Sequence, residues 1–347
     1  MIKNKLGAFA ACATVALGLS ACASSTSTSA GTGSDATLVG AGSTLVAPLV
    51  SQWQPAYDKK TKVALTYGAI GSGGGIEQTT ARTVDFGASD APLSESQFKE
   101  AKAVVQIPWA LTATVIAYHV QGVPNQLKLT GGVLAEIYEG KLSTWNAAAI
   151  AKLNPDVKLP ATEITPIHRS DGSGDTFALT DYLSQISPEW KSTIGNGTEV
   201  SFPTGVGGKG NSGVGGAISA TNGSIGYLAI AYVLANKFDY ALIQNAAGNY
   251  PVPGIPSVSA AAKALKSVPA NNEVSIVNPP TSAPDAYPIS TFTYAIVPLA
   301  SPKASTLKPF LKWAITEGQQ FGPKLDFAPL PQQVVTADEA TIEQIKA

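Results

Sequence analysis

Charge is scarce in this chain of 347 residues: Asp, Glu, Lys and Arg together make up 14%, with 23 basic side chains against 24 acidic. An average globular protein carries roughly 25%. So even a balance excludes the basic face that polyanionic nucleic acid requires, and no nucleic-acid partner is expected. Histidine is nearly absent too. His119 and His168 are the only two, with no metal-ligand spacing around them, and each is expected in the core or on a strand. No G-x-S-x-G elbow is present. Gly205-Val-Gly-Gly-Lys-Gly210 matches G-x-G-x-x-G, but it has no clear strand before it, no acidic residue at the expected distance and no P-loop Lys-Ser/Thr pair. Neither catalytic machinery nor a cofactor is therefore expected.

What is present is apolar and loop-rich. Hydrophobic types reach 44%, enough to exclude disorder as the main state, while 33 glycines and 24 prolines imply many tight turns rather than a helical bundle. Single cores stop growing near ~250 to 300 residues, so two core-forming domains are expected.

The N-terminus reads as an address. Lys3 and Lys5 precede an apolar run from Leu6 to Leu19, the layout of a secretory signal over residues 1–21. That run is shorter than the ~20 residues of a membrane-spanning helix. Leu19-Ser20-Ala21-Cys22 resembles the lipobox of bacterial lipoproteins, with Cys22 the lipidated first residue of the mature chain. Ordinary cleavage nearby, or a buried cysteine, is the plainer alternative. Cys12 lies inside the apolar run, so no disulfide is expected. Residues 22–36 form a Ser/Thr/Gly tract that cannot build a core and would act as a tether, reaching roughly 20 Å from the membrane.

From Thr37 onward, short β-branched runs alternate with helical patterns, the pattern of an α/β fold with a mostly parallel sheet. Thr37–Val39, Val63–Tyr67, Val84–Ala88 and Ile164–His168 read as strands. Leu45, Leu49, Trp53 and Tyr57 form a helical stripe, Ser94 and Gln97 have capping-box spacing, and Leu179, Tyr182, Leu183 and Ile186 repeat with helical period. Two long apolar strands, Ala110–Val120 and Ile289–Val297, could each cross between domains. In that case residues 37–111 and 288–347 form domain I and residues 112–287 form domain II. Two buried strands of one sheet would look the same.

Four loops share a layout of strand, small polar residues and helix start: Gly40–Thr44, Gly68–Gly75, Gly87–Asp90 and Arg169–Thr176. Such loops sit at the carboxyl ends of strands, where open α/β sheets bind ligands, and aim unpaired backbone N–H groups and helix dipoles there. Ser43, Thr44, Ser72 and Ser173 add hydroxyls. Arg169, one of two arginines in the chain, can grip two oxygens at once, which lysine cannot; alternatively it is a surface partner of Asp171. The set suits a small tetrahedral oxyanion. Asp90 is either a turn former before Pro92 or an acceptor that needs a donor from the ligand. Hydrogen phosphate has a proton to give and sulfate at neutral pH has none, a mismatch that discriminates by ~10⁴ or more.

Gly40-Ala-Gly-Ser-Thr, Ile70-Gly-Ser-Gly-Gly-Gly, Val84-Asp-Phe-Gly-Ala-Ser-Asp-Ala-Pro92, Arg169-Ser-Asp-Gly-Ser-Gly and Gly207-Gly-Lys-Gly-Asn together resemble the phosphate-binding proteins of bacterial high-affinity phosphate ABC transporters. The resemblance runs from about Thr37 to the C-terminal region. It implies a two-lobed periplasmic-binding-protein fold of the type II venus-flytrap kind, hinged on two crossover strands. It also implies a monomer that captures inorganic phosphate outside the cytoplasm, held to the membrane by its lipid anchor alone, and delivers it to permease subunits. Carried over by position, Ser43, Thr44 and the backbone of Leu45 are first-loop donors, Ser72 is the second-loop donor and Asp90 the acceptor. Arg169, held by Asp171, is the guanidinium, and Ser173 and Gly174 are helix-start donors. Leu45 replaces a phenylalanine of well-known members and Asp175 a threonine. Asp175 is either a first-turn acid favoured by the helix dipole or a second acceptor for a more protonated phosphate. The rival readings are a receptor of the same fold for sulfate or molybdate, a secreted phosphoryl-transfer enzyme, and a surface-interaction protein.

Overall fold

The computed structural model describes residues 36–347, so the expected signal and lipobox, Cys22 included, and nearly all of the expected tether lie outside the described residues. Strand β1 (Thr37–Gly42) leads to α1 (Ala47–Thr61), β2 (Ala64–Ala69) to α2 (Ser72–Thr80), and β3 (Phe86–Ser89) to α3 (Glu95–Ala101). The long strand β4 (Val104–His119) follows, then β5 (Lys128–Leu129), α4 (Gly131–Tyr138) and α5 (Ala148–Leu153). Next come β6 (Thr165–Arg169), α6 (Gly174–Ile186), α7 (Pro188–Thr193), β7 (Val206–Gly208), α8 (Gly210–Ala220), β8 (Ser224–Ala229) and α9 (Ile230–Ala235). Short strands β9 (Asp239–Tyr240) and β10 (Leu242–Ile243), helix α10 (Ile255–Lys263), strand β11 (Ser290–Pro298) and helices α11 (Ala304–Ile315) and α12 (Gln332–Ile342) complete the chain.

The main sheet runs β2-β1-β3-β11-β4-β8-β6-β7, with β9 also on β4. Its two flanks are parallel, as the strand–helix alternation predicts: β1 with β2 and β3, and β6 with β7 and β8. Its centre corrects the expectation of a mostly parallel sheet, because β11 and β4 run antiparallel to each other and to their outer neighbours. Strand β4 joins the halves. Val104–Ala113 pairs with β11, and from Thr114 onward the same strand pairs with β8. It starts six residues earlier than the apolar run suggests because Pro108, which cannot donate to a ladder, sits at a bulge: Thr293 faces Ala110 while Tyr294 faces Pro108, leaving Trp109 as the extra residue.

Local chemistry explains the helices. Leu49, Trp53 and Tyr57 line the buried face of α1, while Leu45, also buried, precedes the helix. Ser94 and Gln97 form the expected capping box. Ser173 Oγ caps α6 by accepting from the backbone N–H groups of Asp175 and Thr176. Edge-to-face aromatic pairs fill the first half of the core, Trp53 and Phe86 each against Trp109 with centroids 5.2 and 5.7 Å apart. Each such pair adds about 0.5–1.5 kcal/mol beyond the area it buries.

Candidate oxyanion site

All four predicted loops open on one place at the carboxyl ends of their strands. Three lead into helix starts: the β1 loop into α1, the β2 loop into α2 at Ser72, and the β6 loop into α6 at Gly174. The third loop is a correction. After Asp90 the chain turns, and α3 begins only at Glu95, since Pro92 bars the residue before it from helical backbone.

The loops from the two halves of the sheet touch. Ser43 Oγ donates to both Asp90 carboxyl oxygens, at 2.6 and 2.7 Å. Ser72 Oγ donates to Asp90 Oδ2 at 3.3 Å and accepts from the backbone N–H groups of Asp90 and Gly174 at 3.2 and 3.1 Å. A β-carbon at Gly174 would lie 2.3 Å from Asp90 Cβ, so only glycine permits this approach of α6 to the third loop. Nearby, Gly73 N–H donates to Gly172 O at 3.0 Å. Gly71, with φ +92°, leaves space that a side chain would take from Asp171 Oδ2, 2.5 Å from its would-be Cβ.

Arg169 lies under these loops with its side chain 2% exposed. Its Nε and NH2 meet the two oxygens of Asp171 at 2.8 and 2.7 Å, a fork-to-fork pair, and NH1 meets Asp175 Oδ2 at 3.2 Å. Asp171 is itself held by the Gly210 N–H at the start of α8, at 2.9 Å. The structure therefore bears out the surface-pair alternative for Arg169 only in its partner, not in its exposure.

Asp175 is buried and fully engaged: Thr114 Oγ1 donates to Oδ1 at 2.8 Å, and Asn211 Nδ2 to Oδ2 at 2.9 Å. It is thus more than a first-turn acid, and its partners are protein donors. Two other expectations shift. The Leu45 N–H donates to Ser43 Oγ at 3.0 Å, and Ser173 Oγ acts as an acceptor for helix amides. Asn211 and Thr114 did not emerge from the sequence as site residues. Asn211 closes the Gly207–Asn211 motif, which was its only signal. The Gly205–Gly210 stretch does hold a strand, β7, too short and glycine-rich to be read.

Electrostatics at the site follow from burial. Loss of solvent, and then the neighbouring Asp175 carboxylate, push the Asp90 pKa up to about 8 against the pull of Ser43, Arg169 and Ser72. Burial also raises Asp175, opposed chiefly by Arg169, Thr114 and Asn211. Burial alone would raise Asp171, but its bonds to Arg169 and the Gly210 amide outweigh it and hold the group below the usual carboxylate range. Burial pulls Arg169 down, and its acidic partners more than restore it, so it stays a cation. A guanidinium, helix N-termini and a carboxyl that carries or accepts a proton near neutrality make a receptor for a protonated oxyanion.

That fold and site define a class, the solute-binding proteins that enclose a small ligand between two α/β lobes, and the family model described as the PBP superfamily domain matches residues 27–317. The phosphate-binding protein PstS of Xylella fastidiosa is 42% identical over 87% of this chain and 83% of its own length. That of Pasteurella multocida is 38% identical over 88% and 89%. A solved phosphate-binding protein from Stenotrophomonas maltophilia, 18% identical, superposes with a TM-score of 0.71 over 88% of this chain and 93% of its own. The chain belongs to the PBP superfamily and, within it, to the family of PstS phosphate-binding proteins.

Proposed function

We propose that the protein binds inorganic phosphate between the two halves of its sheet and delivers it to the permease subunits of an ABC transporter for import. One observation carries the reading. Ser72, bonded to Asp90, accepts from the Gly174 N–H of the other half, and Thr44 accepts from Asn211, which also bonds the Asp175 that meets Arg169, all of them buried. The names of the relatives support the same ligand.

In this reading the anion lies among Ser43, Thr44, Leu45, Ser72, Asp90, Arg169, Ser173 and Gly174. The amides of Leu45 and Gly174 turn from their serine partners to ligand oxygens, and the hydroxyls of Ser43 and Ser72 follow. Asp171 holds the Arg169 fork, and Asp175 holds its third nitrogen. Asp90 and the phosphate share one proton. Nothing covalent happens; the protein is a receptor and not an enzyme. Residues 37–111 with 288–347 form one lobe and 112–287 the other, and β4, which changes partners at Thr114, supports a hinge there. Phosphate drives closure only by binding the closed form better. Residues 1–21 are a signal, Cys22 carries lipid, and a tether keeps the monomeric receptor outside the cytoplasm.

Calorimetric titration with phosphate and with sulfate tests the reading. In alkaline buffer, above the Asp90 pKa of about 8, phosphate binds and sulfate at the same concentration does not. Micromolar affinity corresponds to about −8.2 kcal/mol. Equal binding of the two anions would refute phosphate selectivity.

A further inference from the structure

Asn211 belongs to none of the loops expected to hold the anion, yet it touches two of them. It stands in the first turn of α8, 1% exposed. Its Oδ1 accepts from the Ala229 N–H at 2.7 Å, while Nδ2 donates to Thr44 Oγ1 at 2.9 Å and to Asp175 Oδ2 at 2.9 Å. These partners fix the orientation of the carboxamide. A backbone N–H only donates, so the oxygen must face Ala229 and both N–H bonds must face Thr44 and Asp175.

We propose that Asn211 is a positioning residue for the anion site, turning the hydrogen of the Thr44 hydroxyl toward the ligand and clasping the first loop to the opposite half of the sheet. A hydroxyl has one hydrogen and two lone pairs. Asn211 occupies the acceptor side of Thr44 Oγ1 twice, through Nδ2 and through its backbone N at 3.4 Å. The hydrogen is thereby directed elsewhere, and among the described residues Thr44 Oγ1 donates to none. Because Thr44 follows β1 and Asn211 follows β7, at opposite flanks of the sheet, the bond exists only while the halves are together. Asp175 Oδ2 also meets Arg169 NH1, so one amide ties the orientation of a hydroxyl to that of the guanidinium's partner.

The inference rests on the proposal that phosphate lies between the halves, and the test separates the two. Phosphate affinity and release rate are measured by calorimetry and stopped flow for wild type, Asn211→Asp, Thr44→Val and the double variant. Asn211→Asp keeps an oxygen for the Ala229 N–H but loses both N–H donors. We expect it to weaken binding roughly tenfold or more, chiefly through faster release. Thr44→Val should do the same, and the double variant should be little worse than the worse single. A purely structural Asn211, whose aspartate variant weakens binding only through its added negative charge beside Asp175, predicts additive effects in the double variant, and additivity overturns the inference, as does wild-type affinity in Asn211→Asp. So does wild-type affinity in Thr44→Val, which remains informative should Asn211→Asp misfold. If wild type itself takes no phosphate, the site reading falls and this inference with it.

Discussion

Asp90 is where burial and hydrogen bonding pull hardest against each other. Its pKa near 8 lies far above the ordinary 3.8, so the sign of its contribution to stability is opposite to that of a salt-bridged carboxylate. A folded-state pKa above the unfolded value means full stabilisation below pH ~4 and progressive loss as pH rises through about 8. Scanning calorimetry of the phosphate-free protein should show Tm falling between pH 5 and 9, and Asp90→Asn should flatten that slope; parallel slopes would contradict the assignment. The same titration governs selectivity. Only the ionised acid repels sulfate, so the ratio of phosphate to sulfate affinity should shrink from pH 9 to pH 6, and a constant ratio in competition titrations would remove Asp90 as the discriminator. Asp90, Arg169, Ser43 and Ser72 were legible in the sequence because each stands in a short loop with its own local pattern. Thr114 and Asn211 were not, because their bonds to Asp175 span 61 and 36 residues and leave no local mark.

At the level of elements, α6 is the piece that brings the halves together. Ser173 caps it and Gly174 opens it against Asp90. Ser173→Ala removes the cap and should cost about 1 kcal/mol in a denaturation experiment, whereas an unchanged midpoint would mean that the cap is redundant. Gly174→Ala places a methyl 2.3 Å from Asp90 Cβ. Phosphate affinity should drop by roughly a hundredfold, about 2.7 kcal/mol, while the circular dichroism spectrum stays the same. The capping box of α3 and the helical repeat of α6 were readable from sequence, as was the buried stripe of α1, whereas the capped helices α4 and α7 were not. Strand β7 was hidden because a Val-Gly-Gly run has little strand preference of its own and forms only by pairing with β6. The start of β4 was hidden because Pro108 reads as a break until a bulge accommodates it.

Across the whole molecule, the alternation of strand and helix indicated an α/β fold and the parallel flanks of the sheet. The antiparallel centre depends on how β4 and β11 meet across nearly two hundred residues of chain, which no local pattern encodes. That centre gives the molecule its mechanics. Strand β4 is continuous through both halves, while the contacts that hold the halves together at the site, Ser72 to Gly174, Thr44 to Asn211 and Gly73 to Gly172, are hydrogen bonds that can open. The central claim is that these loops close around a phosphate ion, and a crystal structure grown with inorganic phosphate tests it most directly. The account predicts phosphorus density between Asp90 and Arg169, with oxygens within hydrogen-bonding distance of Ser43, Ser72, Ser173 and the Gly174 amide. Phosphate bound elsewhere on the protein, with Ser43 and Ser72 still turned onto Asp90, would contradict it.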